Sequence, residues 1–321
     1  MNFKQTIRCL LAAMLMFPAI PAPAEDRQLV FIVPGQPGGT TDKIARLVGE
    51  RMEAILSSRI VVINKAGASG TIAIAEVAKA PADGSTLGIV FDAHAVNHHV
   101  FRNLPYDTFK SFEYISLLIS APHVVVTSRS TPYQSFRQLL DAAKANPDKV
   151  SFGSLGAGTS NHLYPMLLAR RAGAQMLAVP YTGTGGTFLA DLLEGRFDFA
   201  MGSLPFAKPY LATGQLRALA YAGSTRSPEL PALETVAETF PGFEASSWVG
   251  VIAPKGLPAA KIRQLSDAFA QALSTEPLKS KLTNEGYVIE ASGPQQFLRK
   301  VIEESERLAP FAAAQSSSSS R

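Results

Sequence analysis

Apolar and polar positions along this chain switch repeatedly between two periods. Leu29–Val33 is a short apolar run, and Gly35 to Thr41 breaks it. From Asp42 to Leu56 the apolar residues Ile44, Leu47, Val48, Met52 and Ile55 recur at helical spacing. That order predicts a strand, an irregular turn and a helix with one buried face. It returns twice: Val150–Phe152, then "GSLGAGTSN", then a helix from His162 to Arg171; and Leu177–Pro180, then "YTGTGGT", then a helix over Phe188–Leu193. Further strands are predicted over Ile60–Asn64, Thr86–Phe91, Val124–Thr127, Asp198–Met201, Leu216–Tyr221, Val249–Ala253 and Tyr287–Glu290. The last third carries two amphipathic stretches, Pro258–Ser274 and Gln295–Ala314. Strands alternating with helices predict an α/β protein with parallel sheets.

With 321 residues, 46% of them hydrophobic, the chain can bury a sizeable core and is expected to form two domains. No long linker divides it, so the domains are expected to be interwoven by short crossings. The start reads as a secretory signal peptide over residues 1–24: Lys4 and Arg8 precede the apolar run Cys9–Ile20, and Ala22-Pro23-Ala24 fits a small-x-small cleavage site. The sole cysteine, Cys9, lies inside that segment, so residues 25–321 hold neither thiol nor disulfide. Those residues carry 28 basic and 26 acidic side chains, a balance that gives no reason to propose nucleic acid or an anionic membrane as partner. The closing "SSSSSR" over 316–321 is low in complexity, and residues 315–321 are expected to form a disordered tail.

A parallel sheet opens its ligand crevice beyond the carboxyl ends of its strands, where all three glycine loops are predicted to lie. The first N–H groups of a helix lack internal partners and attract negative charge. Glycines let a ligand approach them closely. "GQPGGTTD" over 35–42 therefore reads as an anion cradle. Neither nucleotide motif is present: no lysine follows Thr40 as a P-loop requires, and Asn161 stands where a dinucleotide loop needs its third glycine. None of the three loops contains Lys or Arg, which favours a small carboxylate over a polyphosphate. Simpler roles stay open: Thr40 or Thr41 as a helix cap, Asp42 beside the positive helix end or accepting an ammonium or water, and "GTGG" over 183–186 as a tight turn.

Catalytic constellations are sparse. His94 and His98 are four residues apart, but metal sites of that kind usually add a carboxylate or cysteine. No Gly-x-Ser-x-Gly elbow occurs; "GASG" at 67–70 is one residue short. Ser154 and His162 form a conceivable nucleophile–base pair with no evident acid to orient it.

Several blocks in order carry a family pattern: "VPGQPGGTTDKIAR" at 33–46, "VVINKAGASGTIAIAEVAKAPADGSTL" at 61–87, "HAVN" at 94–97 and "LPYDTFKSFEYIS" at 104–116. "FGSLGAGTSNHL" at 152–163, "VPYTGTGGTFLADLLEGRFD" at 179–198, "LRALA", "RSPELPALETVAE" and "EASSWVGVIAPKGLP" follow. Over residues 29 to about 310 the chain closely resembles the Bug receptors, the extracytoplasmic solute receptors of tripartite tricarboxylate transporters. The resemblance implies a type II periplasmic-binding-protein fold, with two α/β lobes closing on a small ligand. Lobe 1 would comprise 25–121 and 246–314, and lobe 2 would comprise 122–245, with crossings near Ala121 and Ala245. It also implies a monomer that binds a small organic carboxylate, needs no cofactor or metal, and serves transporter membrane subunits or a sensor protein. Carried over by position, lobe 1 supplies Gly38, Gly39, Thr40, Thr41, Asp42 and Ser69; lobe 2 supplies Ser154, Gly156, Gly158, Thr159, His162, Tyr181 and Thr182. Tyr181 would wall the pocket and add a donor. The chain departs from the family at Gly35, where an aromatic is usual, and at Gly202-Ser203, where Asp-Asn is common. It departs also at Phe91-Asp92 and at His98. These changes should reshape the distal pocket, and Asp92, if it faces the crevice, would oppose a second carboxylate.

Overall fold

The computed structural model describes residues 28–156, 158–181 and 186–316. Strand β1 (Gln28–Val33) leads through the first glycine loop into α1 (Thr40–Leu56), and β2 (Arg59–Asn64) follows. A 3-10 turn (Ala68–Gly70) opens α2 (Thr71–Val77); β3 (Thr86–Phe91) and α3 (Ala93–Val100) come next. The long strand β4 (Phe112–Ser128) is followed by α4 (Phe136–Ala145), β5 (Ser151–Ser154), α5 (Ser160–Ala172), β6 (Leu177–Pro180) and α6 (Gly186–Glu194). Then come β7 (Ala200–Ser203), α7 (Leu204–Ala212), β8 (Leu216–Tyr221), the short α8 (Val236–Thr239) and β9 (Ser246–Pro254). Helices α9 (Ala259–Ser274) and α10 (Leu278–Asn284), strand β10 (Val288–Ser292) and helix α11 (Pro294–Ser316) complete the chain.

Two lobes result. In the first, strands run in the order β2-β1-β3-β9-β4-β10. Only β1 with β2 and β1 with β3 pair in parallel; β9, β4 and β10 are antiparallel to their neighbours. The sheet is thus mixed, not parallel as the alternation of elements predicts. The reason is β4, read from sequence as only Val124–Thr127. It runs back through Ser116, Ser120, Pro122 and His123, which interrupt its apolar pattern. Its first part pairs with β9 as far as Pro122 opposite Ser246, and its last part pairs with β7 and β8 from His123 onward. In the second lobe β5 and β6 are parallel, and a bridge from Phe152 to Phe199 continues β5 toward β7. At the changeover, His123 N–H donates to Ala245 O (2.9 Å), Ala245 N–H to Ala222 O (2.9 Å) and Ala222 N–H to His123 O (2.8 Å).

Helix α1 buries Ile44, Val48 and Met52 of the stripe its spacing predicts, with Ala45 beside them and Leu47 and Ile55 half-buried, and ends at Ser57 in the left-handed conformation. On that face of the first sheet Phe31 stacks on Phe269 of α9 (5.9 Å between rings). Each such buried side chain contributes roughly 1.5–3 kcal/mol of transfer free energy. On the other face Phe297 of α11 lies directly over Gly250, whose missing Cβ makes the room. Helix α11 packs against α3, β4 and α5, so one apolar cluster runs from Ile32 through Trp248 and Phe297 to Tyr164 and Phe152. Among the described residues no helix is long and apolar enough to cross a membrane.

Candidate functional site

The first glycine loop is held shut by a buried acid. Asp42, 3% exposed, accepts Gly38 N–H (2.8 Å), Asn64 Nδ2 (2.9 Å) and Arg46 Nε (3.0 Å). Asn64 also donates to Gly35 O (3.0 Å), so one side chain ties both ends of the loop. Burial pushes the Asp42 carboxyl up, but the bonds from Arg46, Gly38 and Asn64 outweigh it and hold the group below its ordinary value. Its oxygens are occupied within the fold, so it latches the loop. Gly39 N–H is likewise engaged, with Gln36 O (3.1 Å). Helix α1 starts two residues earlier than its periodicity indicates, with Gly39 as N-cap and no side-chain cap. Thr40 and Thr41 are first-turn residues, not caps, and the N–H groups of Thr40, Thr41 and Asp42 are those a ligand could take. Thr41 Oγ1 folds over Gly35, where a Cβ would collide with it. An aromatic at 35 is incompatible with this placement.

Ser69 sits in a turn with four successive positive φ angles, from Gly67 (130°) through Ala68 (45°) and Ser69 (52°) to Gly70 (87°). A Cβ at Gly70 would come within 2.9 Å of Pro34 and 3.0 Å of Phe91, so this turn and the first loop are packed together. Asn97 of α3 donates to Ser69 O (3.0 Å). Across the gap, Gly158 approaches the same helix: a Cβ there would be 3.4 Å from Val100 and 3.9 Å from Asn97 Oδ1. Ser69 from one lobe and Gly158 from the other thus both lie beside Asn97.

In the second lobe, Ser154 Oγ lies 2.9 Å from His162 Nδ1 and also accepts Gly156 N–H (3.3 Å). Ser154 is 2% exposed and sits beneath the loop. Burial pushes His162 below its ordinary value, so it is neutral near pH 7. The Thr159 hydroxyl lies 2.6 Å from both Gly156 O and Asn161 Oδ1 instead of capping its helix, and α5 begins at Ser160 without a side-chain cap. Tyr181 donates to Asp191 (2.8 Å), which takes away the donor expected of it. Its ring packs on Phe188 and Phe197. Thr182 lies outside the described residues, as do Gly183, Thr184 and Gly185 of the third loop.

Beside the second loop is a cavity of about 140 Å³ whose polar wall is His123, Ser160, Asn161, Ser203 and Ser247. His123 Nε2 lies 2.9 Å from Ser247 Oγ, which lies 3.2 Å from Ser160 Oγ. Both serine hydroxyls favour the charged form of the buried Asp92 carboxyl, which accepts Ala93 N–H (2.9 Å). Sequence reasoning missed Asn97, His123, Ser160, Asn161 and Ser247 as site residues. A histidine set within the apolar run of β4 is the signal that could have found one of them. A larger hollow, about 810 Å³, lies at the opposite end of the first sheet beside Gln28, Ser85 and Pro258, remote from the glycine loops. The histidines of α3 are engaged in packing: His94 lies 3.2 Å from Tyr114 Oη, and His98 and His99 lie 3.2 and 3.0 Å from Ser305 Oγ. Among the described residues no cluster of His, Cys, Asp or Glu is placed to hold a metal ion.

Two α/β lobes joined by a shared strand, with a cavity beside the second glycine loop that Ser247 of β9 also lines, match the solved periplasmic transporter and periplasmic binding protein structures and define a solute-binding protein of the periplasmic type. Residues 44–315 match the model of the tripartite tricarboxylate transporter family receptor, and the chain belongs to that family. It is 32% identical to protein BugT of Bordetella pertussis over 286 residues, 88% of this chain and 87% of that one. It is 35% identical over 283 residues to a Pseudomonas sp. protein encoded in the tcbD-tcbE intergenic region, covering 88% of this chain and 84% of the relative. An R. palustris protein solved with adipate superposes with a TM-score of 0.79 at 34% identity, covering 90% of this chain and 98% of that one. MatC from Rhodopseudomonas palustris with bound malate does so at 0.77 and 29%, covering 92% and 100%. The family is one of solute receptors, not of enzymes.

Proposed function

We propose that this chain is a periplasmic receptor that captures a small organic carboxylate between its lobes and delivers it to the membrane subunits of a tripartite tricarboxylate-type transporter. One observation carries the ligand class: α1 and α5 both start from glycine-bearing loops without a side-chain cap, on lobes that meet through Ser69, Asn97 and Gly158. Free first-turn N–H groups from both sides suit a carboxylate, and contact with both lobes is what lets a ligand favour closure. The adipate and malate held by the two solved relatives support the same class. The contacting set is Gly38, Gly39, Thr40, Thr41 and Ser69 facing Gly156, Gly158, Thr159 and Thr182, with Asp42, Ser154, His162 and Tyr181 shaping the loops from behind. The lobes divide as 25–121 with 246–314 against 122–245, supported by the change of β4 partners at Pro122 and His123. Export by cleavage after residue 24 is supported by the charge–apolar–small order of the first residues. The chain acts without catalysis, since Ser154 is buried under its own loop and its pairing with His162 serves that loop.

Calorimetric titration of the purified protein with a panel of carboxylates tests this. A ligand is expected to bind wild type and to lose binding in Gly39→Leu while the melting temperature is kept. Unchanged affinity in Gly39→Leu removes the first loop from the site.

A further inference from the structure

The cavity beside the second loop has a second, apolar wall, made by Leu155, Phe188, Met201 and Phe206. Its rings are fixed by packing. Phe188 lies against Tyr181, Phe197 and Phe206 with centroids 5.5, 5.4 and 6.3 Å apart. Phe206 leans on Gly202, where a Cβ would come within 3.0 Å of the ring. The aromatic wall therefore depends on the glycine that replaces the usual acid. None of the residues lining the cavity is an acid, a lysine or an arginine. His123 is uncharged, because burial pushes its imidazole down to about 3. Its Nδ1 is buried without a partner among the described residues, and its Nε2 is held by Ser247 at 2.9 Å.

Behind the polar wall the charges do not favour a second anion. Ser160, Ser247 and the charge of Lys300 favour the ionised form of Asp92, but burial outweighs them. Lys300 is shared with the buried Glu304 at 3.7 Å, while Arg307 is turned to Tyr164 Oη (3.0 Å) and Glu244 O (2.9 Å). Two acids face two bases here, and no cation is left over for a ligand. Burial already disfavours the charged form of Asp92, and a second carboxylate brought against Ser160 and Ser247 would add like-charge repulsion or force one of the two acids to take up a proton. The volume matches the remaining candidate. An apolar cavity of about 150 Å³ holds one benzene ring, and this one measures about 140 Å³. The cavity starts at Leu155 and Ser160, on either side of the second glycine loop, so a ligand gripped by that loop extends directly into it.

We propose that this cavity takes the uncharged tail of a monocarboxylate, about one six-membered ring in size, and that Asp92 behind its polar wall rejects ligands with a second carboxylate. This deepens the carboxylate reading and rests on it.

Calorimetry with benzoate, cyclohexanecarboxylate, malate and adipate on the full chain tests the inference. At least one ring acid is expected to bind about tenfold or more tighter than either dicarboxylate. Phe206→Ala is expected to weaken that ring acid about tenfold, and Asp92→Asn to raise the affinity of malate or adipate relative to it. If Asp92→Asn fails to fold, Phe206→Ala carries the test. A dicarboxylate that binds as tightly as both ring acids, no binding of either ring acid, or a Phe206→Ala variant with unchanged ring-acid affinity overturns the inference and leaves the carboxylate receptor standing. A ring acid that binds wild type and Gly39→Leu equally overturns the loop cradle instead.

Discussion

Helices α4 and α8 begin in one way, and α1 and α5 in another. Ser135 accepts Gln138 N–H (3.2 Å) at the start of α4. Thr235 and Glu238 form a reciprocal capping box at α8, each bond 3.1 Å. These helices complete themselves. At α1 the N-cap is Gly39, which has no side chain to offer, and at α5 the Thr159 hydroxyl is turned onto Gly156 O. The sequence around α5 holds Thr, Ser and Asn, all good caps, yet none is used so. A missing cap is not by itself a site: α9 also lacks one, and its start at Pro258 borders the hollow at the far end of the sheet. What distinguishes α1 and α5 is that their loops are braced from behind, by Asp42 and Asn64 in one lobe and by Ser154 and His162 in the other. The backbone is held in a shape that leaves the starts of both helices without a side-chain acceptor.

The comparison can be broken first at Gly158. A leucine there would reach past Cβ into Asn97 and Val100 and hold the lobes apart; affinity for any ligand is expected to fall by about 100-fold or more, about 2.7 kcal/mol, with the melting temperature little changed in a thermal scan. Next is the brace. Asp42→Ala removes the acceptor of three donors and leaves Gly38 N–H and Asn64 searching for partners, with an expected loss of about 2 kcal/mol in urea denaturation. The same acid sets a pH dependence. Its folded carboxyl titrates below the ordinary 3.8, so its contribution is complete above that value and is lost as pH falls through the lower folded one. Asp42→Asn is expected to flatten that acid limb in melts taken from pH 5 downward. The caps themselves come third. Ser135→Ala should cost about 1 kcal/mol of stability and leave ligand affinity unchanged. Thr159→Ala should do the reverse, costing about 0.5 kcal/mol or less of stability while ligand affinity falls several-fold.

Local pattern carried much of this architecture. Thr86–Phe91, Leu177–Pro180 and Leu216–Tyr221 are strands with the bounds their residues predict, because each is a short apolar run closed by turn residues. The strand–glycine–helix order at residues 29–56 is equally visible. Strand direction is not, because it is set by which distant segments pair, and the antiparallel return of β9 beside β3 and β4 has no local mark. Helix α4 went unread although Ser135 and Gln138 announce its start. At the site, the glycines were legible and their hydrogen bonds were not. Whether Tyr181 offers its hydroxyl to a ligand depends on Asp191, ten residues on and one helix away. The His123–Ser247 contact spans 124 positions and exists only because two strands change partners side by side.

Strand β4 belongs to both lobes at once, and this limits how the gene can vary. Adding or deleting one residue turns every downstream side chain of a strand to the opposite face. Within 112–128 such a change would expose the apolar residues of one lobe or the other, whichever lies past the lesion. Length variants should therefore be tolerated at exposed positions such as 145–149 and purged from this strand, where even a loss confined to the second lobe's half would separate both glycine loops from each other.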